Sequence, residues 1–236
     1  MIPTPDISHL TVKDYDLIYE PAEDTFLLLD ALEQDSDELK ALSPSTCLEI
    51  GSGSGCVSSF IGQILGSSST LYLCTDINPH ACKCTRLTGD KNKISLDPVH
   101  TSFAHPLRSR LHHSVDIVLF NPPYVPTLTD EAIDAQDATN IVGAWAGGFD
   151  GMEITNKFLD MVEVRLLHSP LDVAYSPTSQ DLLSPKGRLY LVALKQNNIP
   201  EIQNRMLTSY GLHSEIVLSR RTGREHLSIV RFGRVK

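Results

Sequence analysis

The sequence lacks most of what would mark a membrane, secreted or duplex-binding protein. No apolar stretch reaches the roughly 18–20 residues of a membrane span. The opening Met1-Ile2-Pro3-Thr4-Pro5-Asp6 lacks the basic-then-apolar form of a secretory signal. Positive charge is scarce: 20 Lys and Arg stand against 29 Asp and Glu, a formal net charge of -9. No long basic run precedes the C-terminal segment, which argues against direct binding of nucleic acid through phosphates. The nine histidines are scattered and contain no HExxH. The five cysteines are an odd number, and Cys82-Lys83-Cys84 is too tightly spaced for the usual zinc pair, so no metal site is expected. Cys47, Cys56 and Cys74 lie in or beside apolar segments and read as small core residues. Free thiols and a cytoplasmic or nuclear setting follow. There is no internal repeat.

What is present fits a single domain over 1–236. The 236 residues, 41% hydrophobic and 21% charged, suffice for one sizeable core. Residues 1–18 read as an N-terminal extension, and 168–180, with two prolines and several Ser and Thr, as an inserted loop. Helical period begins at Glu23 and runs to Glu33; Gln34 to Ser45 reads as a helix end and loop. Thr46-Cys47-Leu48-Glu49-Ile50 is a strand running into Gly51-Ser52-Gly53-Ser54-Gly55, with an apolar helix from Cys56 to Leu65. Glycine there lets a backbone approach a ligand closely. A dinucleotide fingerprint needs glycine where Cys56 stands, so NAD is disfavoured.

Leu71-Tyr72-Leu73-Cys74-Thr75-Asp76 is a second strand ending in a carboxylate. Asp76 can accept ribose hydroxyls or cap the helix starting near Pro79, a role open to Asn78 as well. Strand order and spacing favour ribose. Pro98 to Thr101 is a short third strand. Val115-Asp116-Ile117-Val118-Leu119-Phe120 has the apolar run of a buried central strand. It stops at Asn121-Pro122-Pro123-Tyr124, because neither proline can donate to a ladder. In an open α/β sheet, strand ends of this kind face the binding crevice. Beyond it come an acidic loop over 126–140 and an amphipathic helix from about Gly151 to Leu167. Further on are a strand at Arg188–Leu194, a helix over 200–209, and strands at His213–Leu218 and His226–Phe232 around a basic turn.

Five segments together carry a resemblance. They are Glu20-Pro21-Ala22-Glu23-Asp24-Thr25, Leu48 to Gly55, Cys74-Thr75-Asp76-Ile77-Asn78-Pro79, Phe120-Asn121-Pro122-Pro123-Tyr124-Val125 and Ala144-Trp145-Ala146-Gly147-Gly148. The chain resembles the eukaryotic and archaeal HemK-like glutamine methyltransferases from residue 19 to about 232. The first segment resembles their lid motif, in place of the helical N-terminal domain of bacterial relatives, for which 18 residues leave no room.

The resemblance implies an α/β class I methyltransferase (Rossmann-like) fold, with a seven-stranded, mostly parallel sheet and an antiparallel C-terminal hairpin. It implies S-adenosyl-L-methionine as cofactor, near Thr25, Glu49, Gly51, Gly53, Asp76, Ser102, Phe103 and Asn121. Ser102 departs from the acidic residue usual at the adenine. The implied substrate is the glutamine of the Gly-Gly-Gln loop in the class 1 termination factor, complexed with its GTPase partner. The implied partner is a small zinc-binding activator subunit, added along the sheet edge to give a heterodimer.

Asn121, Pro122, Pro123 and Tyr124 would hold the acceptor, with Asn121, Pro122 and Tyr124 catalytic. An amide nitrogen is a poor nucleophile because its lone pair is delocalised. The Asn121 side-chain carbonyl and the Pro122 carbonyl can each accept one of its N–H groups, and Tyr124 can cover its planar face. Two rivals share parts of this chemistry. A DNA adenine methyltransferase usually needs a target-recognition domain to flip its base. A histone-lysine methyltransferase must deprotonate an amine, and no base is evident.

Overall fold

The central strand is buried at every position from Val115 to Phe120. In the computed structural model, residues 1–124, 151–162, 182–223 and 225–234 are described. Strands β1 (Thr46–Ile50), β2 (Leu71–Asp76), β3 (Leu96–His100), β4 (Val115–Phe120), β5 (Leu183–Leu194), β6 (His213–Thr222) and β7 (Glu225–Gly233) form one sheet in the order β3-β2-β1-β4-β5-β7-β6. The first five pair in parallel; β7 runs antiparallel to both β5 and β6. This is the expected mostly parallel sheet with its C-terminal hairpin. The order reverses between β1 and β4, so the loops after these two strands part and leave a crevice at the carboxyl edge.

Helices α1 (Val12–Tyr15), α2 (Glu23–Gln34), α3 (Ser36–Leu42), α4 (Cys56–Leu65), α5 (Pro79–Asn92), α6 (Arg108–Leu111), α7 (Glu153–Val162) and α8 (Ile199–Tyr210) cover the sheet. Strand alternation feeds two cores. Tyr190, Val192 and Leu194 of β5 pack with Leu27, Leu32 and Phe60 on one face. Leu189, Leu191 and Ala193 pack with Phe158 and Met206 on the other. In β4 the alternation breaks: Val118 and Phe120 share a core with Val115. A register shift between Val115 and Ile117 explains it, since an irregular pairing resets which face a side chain takes.

Several expectations need correction. Residues 36–42 are helix α3, not loop; the polar surface of Ser-Asp-Glu-Leu-Lys hides one buried anchor, Leu39. Within residues 1–18, Leu10 and Ile18 are buried and α1 forms. Strand β5 begins at Leu183, five residues earlier than expected, and carries Pro185 within it. The acidic loop 126–140, Ala144 to Gly148, the expected helix beyond Val162 and the insertion 168–180 lie outside the described residues.

Candidate functional site

At the switch point the loops after β1 and β4 enclose a cavity of about 330 Å³, walled by Leu17, Ile18 and the start of α2. The residues expected on the cofactor side, Thr25, Glu49, Gly51, Gly53, Asp76, Ser102 and Phe103, all line it. So do Asn121, Pro122, Pro123 and Tyr124. The structure therefore gathers into one cavity residues spread over a hundred positions of sequence.

The β1 loop is a cradle. Gly53 has φ +48, and a Cβ built there would meet nothing within 4 Å, so its outer face is open to a ligand. Its N–H donates to Asp76 Oδ2 at 2.9 Å, and the N–H of Asn78 donates to Oδ1 at 2.8 Å. Asn78 also caps α5, its Oδ1 accepting from His80 N–H at 2.9 Å. Capping thus falls to Asn78, and Asp76 keeps lone pairs for a ligand in the cavity. Burial pushes the Asp76 pKa up, against those two backbone bonds. Glu49 is buried and accepts from the backbone N–H of Ser58 at 3.0 Å and from its hydroxyl. Burial raises its pKa to about 8, so a cation placed beside it would be welcome.

The β4 exit is organised by a residue to which sequence reasoning gave no role. Asp24, 3% exposed, accepts from Asn121 Nδ2 and from the Tyr124 hydroxyl, each at 2.9 Å. Tyr19 donates to the same carboxylate at 3.1 and 3.2 Å, and Thr25 N–H at 2.7 Å. A carboxylate can only accept here, so the NH₂ of Asn121 must face Asp24 and its carbonyl must face away. That carbonyl oxygen, Asn121 Oδ1, is buried and has no hydrogen-bond partner among the described residues. An acceptor left so costs about 1–3 kcal/mol, which an incoming N–H would recover. Burial, and then the Asp24 charge, push the Tyr124 phenol well above its ordinary pKa, so it remains a donor.

Two details fix the far wall. A Cβ on Gly151 (φ +72) would lie 2.2 Å from the Tyr124 carbonyl oxygen, so only glycine lets α7 approach the Pro-Pro-Tyr backbone. The Phe103 ring lies 6.5 Å from that of Phe120, edge-on, and 5.9 Å from that of Phe158. It is anchored as wall rather than free to swing. The sequence did carry a signal for Asp24, the segment Glu20 to Thr25. What hid its role was the distance, 97 residues, between Asp24 and Asn121.

Sheet order, glycine cradle and Asn-Pro-Pro-Tyr exit together are those of a class I methyltransferase. A family model described as "Methyltransferase small domain" matches residues 23–140. The chain is 42% identical over 233 residues to "Methyltransferase HEMK2" of Mus musculus, covering 99% of this chain and 97% of the relative. It is 38% identical over 247 residues to the "eRF1 methyltransferase catalytic subunit mtq2" of Schizosaccharomyces pombe, covering 100% and 97%. Among solved structures it resembles the E. cuniculi Mtq2-Trm112 complex, with a TM-score of 0.61 and 25% identity over 92% of this chain and 99% of that one. That complex is described as responsible for methylating the eRF1 translation termination factor. The chain belongs to the HEMK2/Mtq2 family of methyltransferases.

Proposed function

We propose that the cavity binds S-adenosyl-L-methionine and that the protein methylates the side-chain nitrogen of the glutamine in the Gly-Gly-Gln loop of the class 1 termination factor. The observation that carries this reading is the Asp24–Asn121 pair, which leaves Asn121 Oδ1 as a buried, unpartnered acceptor. An amide NH₂ is the group that such an acceptor orients. The full-length likeness to an eRF1 methyltransferase subunit and to the Mtq2-Trm112 complex supports the substrate, and a small activator subunit as partner.

The donor set fits the cofactor. Asp76 would hold the ribose hydroxyls, the Gly51–Gly53 cradle the backbone side, and Glu49 the cationic amino-acid end. Ser102 and Phe103 would border the adenine. When bound, S-adenosylmethionine supplies an electrophilic methyl group on a positively charged sulfur. Asn121 Oδ1 and the Pro122 carbonyl each accept one N–H of the substrate amide, which holds the nitrogen in line and raises its electron density. Tyr124, tethered through its hydroxyl to Asp24, presents its ring to the amide plane and excludes water.

The test is methyl transfer from labelled cofactor by the chain co-purified with its activator subunit. Intact termination factor, a factor with the loop glutamine substituted, histone and duplex DNA are assayed side by side. Label on the intact factor alone is expected. Label on histone or DNA and none on the factor would overturn the substrate while leaving the cofactor site standing.

A further inference from the structure

Outside the cavity, one group of metal-ligating side chains converges among the described residues. The ligand atoms of Asp14, His80 and Cys84 all lie within 4.8 Å of one another. His80 and Cys84 stand one helical turn apart on α5, so they share a face. Cys82 does not share it: its Sγ is 3.9 Å from the Asp76 carbonyl. The close spacing of Cys82 and Cys84 therefore says nothing about Cys84, whose neighbours come from elsewhere.

Asp14 arrives from α1 and places Oδ1 2.9 Å from His80 Nε2. Its Oδ2 accepts from Thr11 N–H at 2.8 Å and from the Thr11 hydroxyl at 2.7 Å. Those two bonds fix the carboxylate plane, as outer partners fix the groups that ligate metals. Cys84 is 1% exposed, at the floor of a small apolar cluster with Leu10, Ile18 and Ala81. Asp14 and His80 are 24% and 28% exposed, so the upper side is wet. The arrangement has a dry sulfur floor, two hard-to-borderline ligands above it, and one side open to water.

We propose that Asp14, His80 and Cys84 form a binding site for a divalent transition-metal ion of the zinc type. One oxygen, one nitrogen and one sulfur ligand with an open fourth position suit Zn²⁺ and exclude Mg²⁺ and Ca²⁺, which take oxygen shells. On binding, the ion would take the place of the Cys84 thiol proton, which passes to solvent. The consequence is mechanical. Leu17, Ile18 and Tyr19, just beyond Asp14, line the cavity. Asn78 Nδ2 already donates to the Leu17 carbonyl at 2.8 Å. An ion would replace the direct Asp14–His80 contact with a link that also takes in Cys84, and brace that wall without entering the cavity.

The experiment titrates Co²⁺ into the metal-stripped full chain and reads thiolate-to-cobalt absorption, with Zn²⁺ then competing. One equivalent is expected, with the band lost in Cys84→Ser and kept in Cys82→Ser. His80→Ala, at the wet side and harmless to the core, should keep the thiol but weaken binding at least tenfold. Zn²⁺ should raise the midpoint of thermal unfolding in the wild type and not in His80→Ala. No stoichiometric binding, a band that survives Cys84→Ser, or equal affinity in His80→Ala would overturn the site.

Discussion

The two ends of β4 each carry a buried polar group, and the two are finished differently. At the start of the strand stands Asp116, 2% exposed. Its Oδ2 accepts from Ser45 N–H at 2.7 Å and from the Ser45 hydroxyl at 2.8 Å, and its Oδ1 from the Ser184 hydroxyl at 2.6 Å. Lys186 Nζ lies 3.8 Å away. Burial alone would raise the Asp116 pKa, but these bonds and the Lys186 charge outweigh it and the net shift is downward. At the strand's end stands Asn121, with its donor side held by Asp24 and its acceptor side unpartnered. Asp116 closes its network and ties β4 to β5 and to the start of β1. Asn121 leaves one bond unmade, beside a cavity. At one end of the strand the completed network ties elements together, and at the other the incomplete one lies beside the cavity.

That contrast can be broken from either end. The largest effect is expected from Asn121→Ala. Removing one preorganised group at a reacting centre costs about 10²–10³-fold in turnover. Cofactor affinity, read by calorimetry, should barely move; a parallel loss of both would make Asn121 structural like Asp116. Next comes Asp24→Asn, which replaces an acceptor-only carboxylate by a group that can turn an NH₂ toward Asn121. A charge-assisted bond is worth about 1.5–3 kcal/mol, so kcat should fall about 10–100-fold. The cofactor dissociation constant should hold, with a stability loss of about 1–2 kcal/mol; a loss of cofactor binding as large as the loss of kcat would refute the positioning role.

Asp116→Asn should do the reverse. Loss of the charge-assisted bonds from Ser45 and Ser184 should lower unfolding stability by about 1–2 kcal/mol. Activity per folded molecule should be intact. The pH dependence carries a sign as well. The folded pKa of Asp116 lies below the usual carboxylate value of about 3.9, so its contribution is present above that pH and is lost as pH falls through the folded pKa. Denaturant titrations between neutral pH and acid should show a smaller acid-linked loss in Asp116→Asn than in the wild type.

A pH-dependent test sharpens the cavity side. Glu49 has its pKa raised by burial from 4.5 to about 8, so the folded chain holds a proton that the unfolded chain has released. Stability should therefore fall as pH rises from 4.5 to about 8 and level off above. Glu49→Gln should flatten that slope, and bound cofactor should shrink it in the wild type. A slope unchanged by Glu49→Gln would remove Glu49 as its source.

Much of this was written locally. Strand β1, the glycine loop, β2 with Asp76, and β4 ending at Pro122 and Pro123 were each legible, because period, glycine and proline act on their own few residues. Two strands about a basic turn were legible near the C-terminus, and their antiparallel pairing was implied by the family resemblance. Helix α3 was not, since its single buried anchor, Leu39, gives too little periodicity to read. The early start of β5 was hidden by Pro185 and Gly187, which a ladder rarely admits.

By itself, then, the sequence determined which segments become strands, where the backbone must turn, and which residue types stand at the turns. Tertiary structure alone decided what those residues face. It brought Asp24 to Asn121 across 97 positions and Asp14 to His80 across 66. It also reset the faces of β4 at the irregular pairing beside Asp116. The reason is physical. Local conformation depends on neighbours along the chain, whereas the orientation of an amide or the company of a thiol depends on which distant surfaces pack together.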